Sequence, residues 1–259
     1  MRWALGVEYD GTQYCGWQSQ PGLRSVEGDL ALAIASVADH DVDIVCGGRT
    51  DAGVHAAGQV VHFDTHAKRS MYAWMQGVNA KLGEFVSVCW ARPVENFFHA
   101  RYSALRRHYR YTIFNRRARS ALAARRSAWV AQPLDAALMQ EGAMPLIGEH
   151  DFSAFRASEC QSRSPIRRVE MIRVVREEEF LHIDVTANAF LHHMVRNMAG
   201  LLISVGRGER SVAHVVDILD GRDRRRNAPT APPEGLSLRA IDYPAAFRLP
   251  ARSGMIATS

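Results

Sequence analysis

The sequence has few cysteines, almost no lysine and no long apolar run, and each shortage excludes something. The four cysteines, Cys15, Cys46, Cys89 and Cys160, lie far apart, with no CxxC pair and no histidine at ligand spacing. They point to a reducing compartment and against a zinc site. Eleven histidines are scattered, and His192-His193 are adjacent rather than at helical ligand spacing, so no metal is expected. No stretch approaches the roughly 20 apolar residues that cross a bilayer. The opening MRWALGVEYDG meets an acid at Glu8, so a signal peptide is not expected either, and a cytoplasmic protein is. Of the 32 basic residues 30 are arginine. Nucleotide composition accounts for that skew, so the preference for arginine over lysine carries little weight.

What is present is an ordinary globular composition. The 259 residues are 47% hydrophobic and 23% charged, enough for one large domain or two small ones. Net charge is +5, and its placement is informative. Between Arg101 and Arg126 there are nine arginines and no acid, interleaved with Tyr102, Tyr109, Tyr111 and Phe114. Guanidiniums for phosphates and rings for bases suit a single-stranded or looped RNA. A merely solvated basic face is the alternative.

The most distinctive stretch is Gly47-Gly48-Arg49-Thr50-Asp51-Ala52-Gly53-Val54-His55. It puts Asp51, the only acid from Ile44 through Phe63, in a glycine-rich segment between two apolar runs, Val42 to Cys46 and Val60 to Phe63. A carboxylate on a loop held between strands suits a fixed nucleophile or base. The bland alternative is a turn in which Asp51 caps backbone amides and pairs with Arg49.

Periodicity and capping residues predict the elements. A strand over Arg2 to Glu8 is followed by a loop, and Ser25 caps a helix to about Ala38. The Asp51 loop lies between the strands Val42–Cys46 and Gln59–Asp64. A helix over Ser70–Lys81 and a strand over Phe85–Ala91 complete an α/β half, 1–105. In the second half, 106–259, Tyr109–Phe114 alternates as a strand. Leu134–Leu146 is helical, with Gly142 and Pro145 predicting a kink or early end. Ala157–Arg168 is a basic loop, and Val169–Arg176 with Phe180–Val185 a hairpin. Ala189–Gly206 and Ser211–Leu219 are helices, Leu236–Tyr243 is a closing strand, and the last fifteen or so residues form a loosely held tail. Two similar halves sharing one sheet would form a cleft for a ligand.

Arg196 stands out within the apolar Ala189–Gly206 segment. It either snorkels at the helix edge or is buried and needs a carboxylate, for which Asp51 is the obvious partner.

Five blocks carry a resemblance. YDGTQYCGWQSQ (Tyr9–Gln20), GRTDAGVHAAGQVVHFDT (Gly48–Thr65), FHARYSALRRHYRYTIFN (Phe98–Asn115), NAFLHHMVRNMAG (Asn188–Gly200) and APPEGLSLRAIDYP (Ala231–Pro244) resemble, in order, the signature blocks of the tRNA pseudouridine synthase A family. The resemblance spans nearly the whole chain. It departs locally at Leu82-Gly83-Glu84, where the family has a Leu-Pro-acidic turn, and at Pro145 in a helix normally free of proline.

The resemblance implies an α/β (α+β) fold of two similar halves, with a mixed, largely antiparallel, continuous sheet and a central basic cleft. It implies a homodimer that isomerises uridine at positions 38, 39 and 40 of the tRNA anticodon stem-loop, without cofactor. Asp51 would be the nucleophile or base, and Arg196 would keep it ionised and oriented. Arg49 would fill the space vacated by the flipped nucleotide. Tyr109 would pack on the flipped base and take part in proton removal, with Tyr111 as second choice on the same strand face. Leu236 would line the pocket, and Arg101, Arg107 and Arg110 would bind substrate. Two rivals are a non-catalytic RNA-binding module, which would bind tRNA and leave it unchanged, and a small-molecule α/β enzyme with an Asp–Arg dyad, which would show no salt-sensitive RNA affinity.

Overall fold

The computed structural model describes residues Met1–Pro250. In chain order these form β1 (Arg2–Tyr9), α1 (Val26–Ala38), β2 (Val45–Cys46), β3 (His55–Asp64), α2 (Met71–Asn79), β4 (Val86–Val94), β5 (Arg106–Asn115), β6 (Ala128–Val130), α3 (Ala136–Ala143), β7 (Gly148–Asp151), β8 (Ile166–Glu177), β9 (Phe180–Ala187), α4 (Met194–Gly206), α5 (Ala213–Gly221) and β10 (Leu236–Asp242). The class is mixed α/β, as expected. The chain falls into two compact units. One is Met1–Arg107 with the chain from Leu238 onward, and the other is His108–Ser237. The closing strand, assigned from sequence to the second half, is therefore grouped mostly with the first.

The first unit carries the strand order β4-β1-β3-β10, with β2 on β3. β1 pairs antiparallel with β3 and β4. Both helices start where a serine hydroxyl accepts an orphan amide: Ser25 from Gly28, and Ser70 from Ala73. The wholly buried Trp74 of α2 packs on Trp3 and Phe63, with centroids 5.8 and 5.1 Å away. A second cluster gathers Ala4, Val60, Phe98 and Ala100, against which Tyr243, Phe247 and Leu249 pack. The expected loose tail is thus corrected as far as Pro250. Phe247 meets Phe98 edge-on at 4.9 Å, a contact worth about 0.5–1.5 kcal/mol beyond the area it buries. The rest of that tail, 251–259, lies outside the described residues.

The second unit carries the order β5-β9-β8-β7, with β6 running parallel to the end of β5. β8 and β9 form the expected hairpin, with Glu178 at φ +54° in its turn. α3 ends at Ala143 and Pro145 opens a short 3-10 turn, as the proline predicted. α4 presents Met198, Leu201 and Leu202 to the interior. It begins five residues later than its apolar pattern suggests, because His193 takes a left-handed φ of +62°. Asn188 meanwhile ties the preceding segment to the sheet by accepting from the Arg168 amide. Two short strands, β6 and β7, were not expected.

Candidate active site

In the first unit, residues 47–54 leave β2 and return into β3 as an irregular loop fixed from two sides. From β3, the wholly buried Gln59 brackets Gly48: its side-chain oxygen accepts from the Gly48 amide at 3.2 Å and its amide donates to the Gly48 carbonyl. The same amide reaches the Tyr9 hydroxyl at 3.4 Å, which lies 2.8 Å from the Thr50 hydroxyl. From segment 9–17, the Trp17 amide donates to the Thr50 carbonyl at 3.0 Å and the Tyr14 carbonyl accepts from Gly53 at 3.3 Å. The Gly11 amide donates to His55 Nδ1 at 3.1 Å. Each of these groups would lose a hydrogen bond if the loop moved.

Two glycines of that segment are there for closeness. A Cβ on Gly11 would lie 2.0 Å from the Val54 carbonyl oxygen, and one on Gly16 (φ +95°) 2.9 Å from that of Thr50. Asp51 sits half-buried at the centre of this frame, with its own carbonyl accepting from Val54 at 3.1 Å. Arg49 is exposed. Cys46, just before the loop, is not a competing nucleophile, since burial pushes its thiol up to about 12.

Two of the predicted substrate-binding arginines also lie in the first unit. Arg107 donates to the Gly47 carbonyl at 2.9 Å and to the Arg101 carbonyl at 2.8 Å, so it braces the entry to the Asp51 loop. Arg101 is exposed, with its guanidinium 5.7 Å from the Tyr102 ring centre.

Tyr109, Arg110, Arg196 and Leu236 belong to the second unit. Tyr109 is buried in β5 and meets Phe190 edge-on at 5.0 Å. Tyr111, on the same face, is wholly buried and donates to the Pro232 carbonyl at 2.9 Å. Burial raises its phenol far above the ordinary tyrosine range. Arg110 holds Asp184 through two bonds of 2.7 and 2.8 Å, and that pairing raises its pKa. Its charge is already spent inside the protein. Arg196 occupies the first turn of α4, half-buried, and donates from Nε to the Ala231 carbonyl at 2.9 Å. Leu236 is buried at the start of β10.

Sequence reasoning missed the residues that hold segment 228–231 against α4. The wholly buried Asn197 donates to the Phe155 carbonyl at 2.7 Å and accepts from Thr230 and Arg224. Gly200 would place a Cβ 2.1 Å from the Pro229 carbonyl oxygen. The NAFLHHMVRNMAG block contains Asn197 and Gly200, yet neither has a chemistry that would single it out.

A lone carboxylate on a loop fixed by two other segments, within an α/β chain bearing a basic and aromatic strand, is the make-up of an enzyme of polyanionic substrates. The model of the tRNA pseudouridine synthase family matches residues 6–103 and 143–244, and the chain belongs to that family. It is 51% identical over 250 residues to the tRNA pseudouridine synthase A of Nitrosococcus oceani, covering 96% of each chain. It is 52% identical over 249 residues to that of Methylococcus capsulatus, covering 96% of this chain and 92% of the relative. With that of Coxiella burnetii the identity is 49%, over 96% of this chain and 95% of the relative.

Proposed function

We propose that this protein isomerises uridine to pseudouridine at positions 38, 39 and 40 of the tRNA anticodon stem-loop, with Asp51 as the reacting carboxylate. The N1–C1′ bond breaks, the base turns and C5 bonds to C1′; the proton lost from C5 is matched by one gained at N1. Composition is unchanged, so neither a redox cofactor nor water is consumed. The observation that carries the reading is the Asp51 loop. Its half-buried carboxylate sits on a backbone that Gln59, Trp17, Tyr14 and Arg107 hold at four points. Such fixing lets a carboxylate act as nucleophile or base without paying for its own positioning during the reaction.

In this reading Arg196 keeps Asp51 ionised, and Arg49 replaces the flipped nucleotide in the RNA stack. Tyr109 supports the flipped base and Leu236 closes the pocket. Arg110 is neutralised by Asp184, and Arg107 is used in bracing the Asp51 loop at the Gly47 carbonyl. Phosphate contacts therefore fall to Arg101 and the exposed Arg117 and Arg119.

The active unit is a homodimer. In this reading the basic segments of two chains both contribute phosphate contacts to one tRNA, which is recognised by shape. Asp51→Asn tests the reading: the variant should bind tRNA like the parent and form no pseudouridine. Substantial turnover would remove Asp51 from the mechanism.

A further inference from the structure

Where β5 ends and β6 runs alongside it, the second unit has an open hollow of about 820 Å³. Asn115, Arg116, Arg117, Gln132, Leu134 and Arg176 line it. Its three arginines are in different electrostatic states. Arg116 is neutralised by Glu179 at 3.2 Å and lies over the Phe114 ring at 4.8 Å. Arg176 donates to Asn115 Oδ1 at 3.0 Å, to the Leu134 carbonyl at 2.7 Å and to the Glu178 carbonyl at 3.4 Å. All three acceptors are uncharged, so they orient the guanidinium and leave its charge uncompensated. Arg117 is exposed and has no partner among the described residues.

Two net positive charges thus face one open hollow, and one of them is held in place beforehand. A guanidinium already fixed loses little freedom when an anion arrives, and its planar fork matches two phosphate oxygens. Outside the lining but bonded to one of its residues, Trp129 is 49% exposed, and its indole N–H donates to the Arg116 carbonyl at 2.8 Å. A pinned, half-exposed indole next to cations is the pairing that binds a nucleotide by its phosphate and its base face. Nothing in the hollow can act as nucleophile or base on a nucleoside, so its contribution is affinity rather than chemistry.

We propose that this hollow is a phosphodiester site for the RNA substrate, with Arg117 and Arg176 on the backbone and Trp129 under a base. The proposal rests on the tRNA reading above. It adds Arg176 and Trp129, which lie outside the run Arg101–Arg126 or carry no charge.

The test uses the full chain and an unmodified tRNA transcript, with binding measured across a salt series and turnover measured separately. Arg117→Ala removes no internal contact and carries the decision. Arg176→Gln is the second variant, paired with thermal unfolding because it also removes structural bonds. Each should weaken binding several-fold and lower the slope of log affinity against log salt by about 0.7–0.9, the share of one phosphate contact. The loss should appear in KM rather than kcat. Trp129→Ala should weaken binding with the salt slope unchanged. Inorganic phosphate at millimolar concentration should compete poorly; full competition would make the hollow a small-anion site and overturn the RNA assignment. An Arg117→Ala variant with the parent's affinity and salt slope, in a protein that modifies tRNA, would overturn this site and the phosphate role of Arg117, and leave the uridine chemistry standing. A parent that fails to bind tRNA at all would overturn the underlying reading.

Discussion

If the segment Tyr9–Trp17 sets the position of Asp51, then adding a single methyl group at Gly16 should slow the reaction. Gly16 has φ +95°, and an L-residue there is strained by about 1–2 kcal/mol. Its Cβ would lie 2.9 Å from the Thr50 carbonyl oxygen, 3.1 Å from the Ala52 amide nitrogen and 3.2 Å from the Asp51 carbonyl carbon, where ordinary contact begins near 3.4 Å. The backbone on both sides of the carboxylate must therefore yield by roughly 0.5 Å. A displacement of about 1 Å at a reacting group costs on the order of 100-fold, so half of that predicts roughly a ten-fold loss in kcat. Gly22 supplies the control. It has φ +74°, and nothing lies within 4 Å of its Cβ position. Gly22→Ala therefore carries the same kind of strain without the push. Gly22→Ala should lose about 1–2 kcal/mol of stability, a fall of roughly 2–8 °C in Tm for a chain of this size, and Gly16→Ala more than that because of the added push. Only Gly16→Ala should lose kcat on a tRNA transcript, with tRNA affinity intact. Equal turnover in the two variants would refute the claim that this segment positions Asp51.

Tyr109→Phe keeps the ring and removes the hydroxyl, whereas Tyr109→Leu removes both. If the ring is only a platform Phe retains turnover, and if the hydroxyl moves a proton Phe is nearly inactive with binding intact, while full activity in both excludes Tyr109 from the site. Arg196→Met should reduce kcat severely with little change in tRNA affinity, and Arg196→Lys should restore only part, because an ammonium lacks the forked donors. A fully active Arg196→Met would make Arg196 a structural residue. Stability should depend on His62, which is buried and accepts from the Ala100 amide at 3.1 Å. Burial, with Arg2 and His99 adding and Asp64 opposing, lowers its pKa from 6.5 to about 4. The fold holds the neutral ring, so this contribution is whole above pH 6.5 and is lost as pH falls through about 4. His62→Gln should flatten that part of the Tm-against-pH curve, and an unchanged curve would contradict the assignment.

Much of the fold was legible because it rests on local signals. Ser25 and Ser70 stand where helix caps belong, and the apolar residues Leu30 and Ile34 recur on one face. What was not legible depends on distant partners or on a single dihedral. β6 is three residues in an alanine- and arginine-rich stretch, and β7 is the polar Gly-Glu-His-Asp; neither has the alternation of a strand, and only pairing with β5 and β8 makes them so. The start of α4 turns on the left-handed His193, which its apolar neighbours do not betray. Phe247 and Leu249 read as tail because their partner Phe98 lies about 150 residues earlier in the chain.

The site divides in the same way. Asp51 could be found because it is a lone acid among glycines, a property of its own segment. The hydrogen bonds that hold its loop come from Tyr9, Gln59 and Trp17, and no spacing rule joins them to residue 51. Arg110 reads as a phosphate contact in a basic run, and only the fold brings Asp184 onto it from 74 residues away. Arg176 escaped notice for the converse reason: the acids near it in sequence suggest a paired cation, whereas the structure gives it carbonyls.

The most direct measurement is to incubate the purified protein, without added metal or cofactor, with an unmodified tRNA transcript and to map pseudouridine along it. The account predicts conversion at positions 38, 39 or 40 wherever these are uridine, none elsewhere, and none at all with Asp51→Asn. A transcript that is bound but left unmodified would contradict it, and so would conversion outside the anticodon stem-loop.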